Sequence, residues 1–368
     1  MFKIKKIVYS IVSIASIVGI FFFILSAFSD RISPSFSVYF AYLGMGFPFI
    51  FILNLLLCGL WALFRKWRWV LVYIITYFVC WESISTYFPV HFRSKDMPSE
   101  SIKLLTYNVM RFDHEKPHLP GNPNPILKYI VDSNADIICL QEYSAFIKHN
   151  HLTETDIKRA LKKYPYYRLL KLNGSSSNYI YGMALFSKYP ISAFDDIALE
   201  SAFNGAFIAE LKIKDKKVTL ISVHLESNRL SMKERATYYE LTKEFDSSTF
   251  EEMRSEMNKR LAPAFKKRAE QAQLISEYIK KSINPYTIVC GDFNDTPISY
   301  SRHTIKGDLR DAFVETGTGL GTSYNRYRFL FRIDYILHSK NITPYRCTVD
   351  YAIRSSDHYP IWTCLQLN

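Results

Sequence analysis

The stretch Cys290–Pro297, CGDFNDTP, follows an apolar run and sets Asp292, Asn294 and Asp295 within four positions. Gly, Asp and Asn are turn formers, and Asp295 with Thr296 reads as the turn that positions the rest. Carboxylates and an amide are also the oxygen ligands that a hard cation takes. Similar residues recur along the chain. Asn108 lies near the end of the run 102–110, Glu142 near the end of 135–143, and His224 within 217–227. Asp334 sits inside RIDYIL, and Asp357 with His358 precedes the last apolar run. Polar groups at the same end of successive apolar strands are where α/β architectures place their sites. Cleaving a phosphoester with water needs a cation for the phosphate oxygens, a base for the water, and donors for the charge that develops. Glu142 and Asp357 are suitable hard ligands for Mg²⁺. A histidine held by a carboxylate, here His358 with Asp334, has its tautomer fixed and its cation stabilised. His224 and Asn294 are able to donate to phosphate oxygens.

The elements that must position these residues are short runs rich in β-formers: 102–110, 135–143, 182–191, 206–213, 217–227, 286–294, 332–339 and 359–367. Several are apolar on both faces, as strands covered on both sides are. The stretch 264–282 repeats Phe265, Ala269, Ala272, Ile275 and Ile279 at helical spacing, which predicts an amphipathic helix. Residues 230–261 mix Leu230, Tyr238, Leu241, Phe245, Met253 and Met257 with many charges and predict further helix as an excursion. Core packing is the ordinary role of such a stripe, with a lid or substrate-facing surface as the alternative.

The first hundred residues differ in kind. Ile7–Phe28 and Val38–Phe64 run without a charge for about 22 and about 27 residues, and Trp69–Trp81 is a shorter third run, against the roughly 20 that span a bilayer. Three transmembrane helices (7–28, 38–64, 69–81) form a predicted membrane anchor over 1–81, followed by a linker at 82–100 and a domain at 101–368. Lys3, Lys5 and Lys6 and the link FRKWRW are basic, so the amino terminus and that link are expected inside and the domain on the outer, periplasmic or extracellular, face. Trp61, Trp67, Trp69 and Trp81 suit helix ends at the interface. The net charge of +12 is shared between anchor and domain, since residues 1–100 hold nine Lys and Arg against four Asp and Glu. A modest basic bias suits an anionic partner such as phosphate, nucleic acid or lipid headgroup. Cys347 and Cys364 are expected either as a disulfide or as two buried thiols.

Taken in order, TYNVM, LQEY, SVHL, GDFND, RIDYIL and SDHYPI give the region 101–368 a specific likeness: it resembles the endonuclease/exonuclease/phosphatase superfamily. The resemblance implies a four-layer α/β sandwich of two mixed β-sheets flanked by helices. It implies that Asn108 and Glu142 help hold the metal, with Asp357 completing the site, and that His224 hydrogen-bonds the phosphate. Asp292 would orient or activate the water, Asn294 would bind a phosphate oxygen, and Asp334 would pair with His358; either Asp292 or His358 would be the working base. One departure bears on substrate. Apurinic endonucleases carry a lysine soon after the metal glutamate and a basic or tyrosine phosphate contact in the middle strand region, whereas here Tyr143 follows Glu142 and FNGAFIAEL offers only Asn204. The expected function is therefore a membrane-anchored, Mg²⁺-dependent phosphoester hydrolase, with Mn²⁺ as a possible substitute, acting on a lipid headgroup or other small phosphoester. The alternative is an extracytoplasmic nuclease, for which KRALKKYPYYRLLK (158–171) with Tyr164, Tyr166 and Tyr167 offers a mixed basic and aromatic surface. A non-catalytic interaction module has no physical need of Glu142 together with Asp334, Asp357 and His358.

Overall fold

The computed structural model describes residues 2–91, 97–148, 151–228, 247–326 and 331–368. Twelve strands form two sheets: β1 (Ile102–Asn108), β2 (Ile137–Phe146), β3 (Tyr166–Lys171), β4 (Tyr179–Ser187), β5 (Ile191–Ile197), β6 (Gly205–Ile213), β7 (Lys216–His224), β8 (Tyr286–Asp292), β9 (Arg310–Asp311), β10 (Asp334–His338), β11 (Ile342–Val349) and β12 (Ile361–Leu367). One sheet runs β11-β12-β1-β2-β4-β3 and the other β5-β6-β7-β8-β10-β9. Alternation along the central strands makes the layers. Leu104, Cys139, Leu220, Ile288 and Cys290 enter the core between the sheets. Their neighbours Leu105, Ile138 and Leu140 pack outward with Ile126, Leu127 and Ile130 of the helix Pro125–Ser133. Ile221, Val223 and Val289 pack outward with Ala272 and Ile275 of the long helix Ser247–Lys281. Strands covered on both faces, two sheets thick with helices outside, give the expected four-layer sandwich.

Both sheets are mixed, and the parallel pairs place the site. β1 runs parallel to β2 with Asn108 opposite Gln141, and β7 runs parallel to β8 with His224 opposite Asp292. Each pair is joined through a helix, so the carboxyl ends of both strands come to the same edge. β10 begins antiparallel at that edge, with Asp334 opposite Asp292. The close approach of β7 and β8 needs Gly291, whose φ is +135° and whose missing Cβ would stand 2.0 Å from the Val223 carbonyl oxygen. Directly after Asn108, residues 110–115 all have positive φ, between 42° and 58°, and form one left-handed turn. Phe112 anchors it edge-on to Tyr143, and Asn124 donates to the Phe112 and Lys116 carbonyls.

The eight runs read as strands are all strands. β3, β5, β9 and β11 are additional to them: β3 is the end of the stretch 158–171, β5 follows directly on β4, β9 is only two residues long, and β11 lacks a continuous apolar face. The long helix reaches back from the predicted 264–282 through Ser247, past Pro263. Of the excursion read at 230–261, residues 230–246 lie outside the described residues. The three predicted spans take a broken form. Among the described residues one helix, Lys5–Ala27, is long and apolar enough to cross a membrane, and there are up to three such spans if each bent pair counts as one. The run 38–64 is two helices, Val38–Met45 and Phe47–Leu63, bent by 58°, and Trp67–Val79 continues at 70° into Trp81–Tyr87. The segment read as linker thus opens with a helix, because Ile84 and Tyr87 bury themselves with Phe23, Phe47, Cys80 and Ile298. Residues 92–96 of that linker lie outside the described residues. Trp61 Nε1 donates to Ser16 Oγ at 2.8 Å and Asn54 Nδ2 to the Gly19 carbonyl at 3.1 Å, polar links of the kind that hold apolar helices together. Cys347 and Cys364 are two buried free thiols on adjacent strands.

Candidate active site

Glu142 reaches the strand ends through a β-bulge. Between Leu140 and Tyr143 the ladder of β2 with β4 shifts, so Gln141 and Glu142 together face the single residue Met183, and Glu142 takes φ +50°. The extra residue divides the two side chains. Gln141 turns into the core and donates to Thr106 Oγ1 and Ser222 Oγ, one hydroxyl on each sheet. Glu142 turns to the cavity, where its Oε1 accepts from Asn108 Nδ2 at 3.2 Å. The same Nδ2 donates to Asp292 Oδ2 at 3.1 Å, while Asn108 Oδ1 accepts from the Met110 amide at 3.1 Å. Asn108 is thereby a fixed bracket between the carboxylates of the two sheets.

Asp292 is the centre of the cluster. Its Oδ1 accepts from the Asn294 amide at 2.8 Å, and its Oδ2 lies 3.7 Å from His224 Nε2 and 3.5 Å from His358 Nε2. His358 Nδ1 is 2.8 Å from Asp334 Oδ2, which fixes the ring as the sequence predicts. Burial pushes the Asp292 carboxyl up to about 6 against the opposing pull of His358. Burial works the other way on His358, but Asp334 and then Asp292 outweigh it and hold the imidazole well above its usual range. His224 goes down, through burial, despite Asp292, and its Nδ1 has no hydrogen-bond partner among the described residues. Glu142 goes up, first through burial and then through Asp357, which faces the same cavity.

All eight residues singled out in the sequence come together at this edge: six of them line one small cavity, and Asn108 and Asp334 hydrogen-bond directly to residues that do. Asn294 is engaged differently from the simplest expectation: its φ is +52°, and its Nδ2 donates to the Leu225 carbonyl at 3.0 Å and lies 3.3 Å from Asp292 Oδ2. Asp295 does close the turn, accepting from the Thr296 amide, and also pairs with the fully buried Arg268, whose Nε is 3.3 Å from Asp295 Oδ2. Arg268, Ser356 and Ser323 are site residues that the sequence reading missed. Arg268 lines the cavity with its Nη2 unpartnered among the described residues. Ser356 Oγ donates to the Asn108 carbonyl at 2.7 Å and accepts from the His358 amide, and Ser323 Oγ accepts from the Asp334 amide. A serine two residues before His358 is the one signal the sequence held for these. The aromatic stretch 158–171 is elsewhere and largely occupied. Tyr164 is buried with its hydroxyl on the Ala135 carbonyl, and Tyr167 stacks on Phe186 and carries Lys158 Nζ over its ring; Tyr166 is exposed.

Residues 105–358 match the family model for the Endonuclease/Exonuclease/phosphatase family. The chain belongs to this family. Its members are phosphoester hydrolases, and this hydrolase carries the six ordered motifs on the strands and loops just described. A second family model, for a domain of unknown function, matches residues 6–87. No curated protein matches the chain in sequence. Similar solved structures include an endonuclease/exonuclease/phosphatase from Beutenbergia cavernae (13% identity, 73% of this chain and 72% of that one, TM-score 0.49). One from Bacteroides vulgatus has 18% identity over 73% and 99% of the two chains, TM-score 0.49. A mannosyl-6-phosphatase of Bacteroides thetaiotaomicron has 19% identity over 72% and 100%, TM-score 0.48. The family assignment rests on the matched family model and the motifs, not on these likenesses.

Divalent-metal dependence is typical of the family, and the donor set of this hydrolase fits a hard cation. Glu142 and Asp357 face one cavity, and Asp357 adds to the burial that pushes the Glu142 carboxyl up, which is the arrangement a divalent ion relieves. Asp292, Asp334 and His358 also bring ligand-type atoms within 4.8 Å of one another, but His358 and Asp334 are committed to their mutual hydrogen bond.

Proposed function

We propose that this hydrolase cleaves the phosphoester of a membrane-lipid headgroup, or of another small phosphoester at the membrane surface, with Mg²⁺ held by Glu142 and Asp357 and with Asn108 fixing Glu142; Mn²⁺ is the alternative ion. The observation that carries the reading is that this acid-rich cavity lies against the apolar amino-terminal helices, with Met45 of the helix Val38–Met45 on its wall. When bound, the ion neutralises phosphate oxygens and favours attack at phosphorus. Asp292, surrounded by Asn108, Asn294, His224 and His358, takes the proton of the attacking water as the phosphorus–oxygen ester bond breaks. His224 and the His358 imidazolium face the developing negative charge, and Asp334 holds the latter in place. The anchor supports an outward-facing domain. Lys66 Nζ lies over the Tyr9 ring, grouping the amino-terminal and second-link cations at one end, while Asp30 lies 3.3 Å from His303 of the domain at the other.

The test is product release by the full chain in lipid nanodiscs, with Mg²⁺ or EDTA, from phospholipids, sphingomyelin, inositol phosphates, and single-stranded DNA and RNA. Metal-dependent turnover of a lipid or small phosphoester, absent in Glu142→Gln, is expected. Turnover confined to nucleic acid, with the steep salt dependence of phosphate contacts, overturns the substrate class in favour of the nuclease.

A further inference from the structure

The cavity has a volume of about 180 Å³ and an unlike lining. Glu142, His224, Asp292, Asp357 and His358 line it together with the apolar Met45, Leu261 and Phe265. Leu261 and Phe265 come from the long helix Ser247–Lys281. Met45 comes from the amino-terminal anchor, at the break between Val38–Met45 and Phe47–Leu63.

Several contacts hold Met45 there. Tyr42 OH donates to Asn258 Oδ1 at 2.6 Å, and the Tyr42 ring meets Phe265 edge-on at 5.4 Å. Gly44 packs so tightly on the catalytic loop that a Cβ would stand 2.2 Å from the Ile298 carbonyl oxygen. Ile298, three residues after Asp295, is itself buried among Phe23, Phe47, Cys80 and Tyr87. Arg332, two residues before Asp334, is buried and donates to the Thr86 carbonyl of the helix Trp81–Tyr87. Both catalytic loops are thus locked to the anchor, and the anchor reaches the cavity. Two residues beyond Met45 the chain enters a helix that leaves Phe49, Ile52, Leu53 and Leu56 exposed, the surface a bilayer covers.

We propose that Met45, Leu261 and Phe265 form a binding site for the alkyl part of an amphiphilic phosphoester, so that the anchor supplies a specificity-determining residue of the active site. This rests on the lipid reading above and narrows it: apolar side chains in the same cavity as a phosphate-cleaving cluster are useful when the group attached to phosphorus is hydrocarbon.

The experiment uses the full chain in nanodiscs and two homologous series, alkyl 4-nitrophenyl phosphates and alkyl monophosphates with chains of one to ten carbons, read by nitrophenolate or phosphate release. In the wild type, kcat/KM is expected to climb by up to about fourfold per methylene that the wall covers, mainly through KM. Met45→Gln, close in length but polar, flattens that climb, with a KM penalty that grows with chain length. Met45→Leu keeps it. A misfolded site would instead lower every ester by the same factor. A climb that survives Met45→Gln unchanged overturns the role of Met45. A wild type that cleaves the methyl ester without any dependence on chain length overturns the alkyl site while leaving phosphoester hydrolysis standing. Absence of turnover in both series overturns the small-phosphoester reading along with it.

Discussion

Two buried charge clusters flank the loop that follows Asp292, and they are built on opposite plans. In the first, Arg302 Nη2 lies 2.6 Å from Asp311 Oδ2 and Arg302 Nη1 donates to the Pro297 carbonyl, while Asp311 Oδ1 accepts from the Phe313 and Val314 amides. In the second, Glu142, Asp292, Asp334 and Asp357 share one edge with two imidazoles. The consequences have opposite signs. Burial would raise Asp311, but Arg302 outweighs it and holds the carboxyl below its usual range. Glu142 and Asp292 stay above theirs, because burial and neighbouring carboxylates are not offset. A buried charge with its own counter-ion is architecture. Buried carboxylates in excess of their cations are a site that something else completes.

The largest effect should come from the unbalanced cluster. Glu142→Gln is expected to lower kcat/KM by about a thousandfold or more, the scale of losing one electrostatic contact to the reacting phosphate, with no loss of thermal stability in EDTA. A variant that instead unfolds would place Glu142 with the architecture. The balanced cluster should do the reverse. Asp311→Asn leaves Arg302 buried without its partner and is expected to cost about 3–5 kcal/mol of stability, read as a fall in melting temperature, while activity per folded molecule persists.

Much of this division was legible beforehand. The catalytic cluster announced itself because oxygen and nitrogen donors stood at the ends of apolar runs, and runs apolar on both faces implied covered sheets. Arg302 and Asp311 gave no such sign, since their pairing is set by a loop and a two-residue strand. Arg268 was hidden for a related reason: within a helix of alternating charges a cation that turns inward looks like those that turn outward. The break at Cys80 was equally invisible, because hydropathy reports length and not direction, whereas the one at Gly46 carries a local sign in Gly46 and in Pro48 at the start of the next helix. Residues beside both breaks, Phe47 and Cys80, pack with Ile298, a tertiary contact.

The titration of the two clusters sharpens the comparison, with a smaller effect. Asp292, raised to about 6, contributes stability below about pH 4 that is lost as pH rises through 6. Asp311, held low, contributes stability above about pH 4 that is lost as pH falls through its lowered value. In EDTA, the melting temperature of Asp292→Asn should therefore gain on the wild type between pH 4 and 7. That of Asp311→Asn should approach the wild type only under acid conditions. Parallel curves would mean that the two clusters do not differ in kind.

The smallest effect tests whether the site is held as one body. Ser356 lies in neither cluster, yet its hydroxyl donates to the Asn108 carbonyl and accepts from the His358 amide, tying the end of β1 to the loop that carries the imidazole. Ser356→Ala removes two buried hydrogen bonds, leaving the His358 amide without its acceptor and the Asn108 carbonyl without this donor, a cost of about 1–2 kcal/mol. If that cost falls on the folded state as a whole, it appears in the melting temperature and activity is kept. If Ser356 positions His358 against Asp292, the same energy appears in kcat, as a loss of roughly five- to thirtyfold, with KM unmoved. The second outcome is expected, because the backbone atoms that Ser356 joins belong to opposite sides of the 3.5 Å contact between His358 and Asp292: one in the loop of His358, the other in the residue whose amide brackets Asp292.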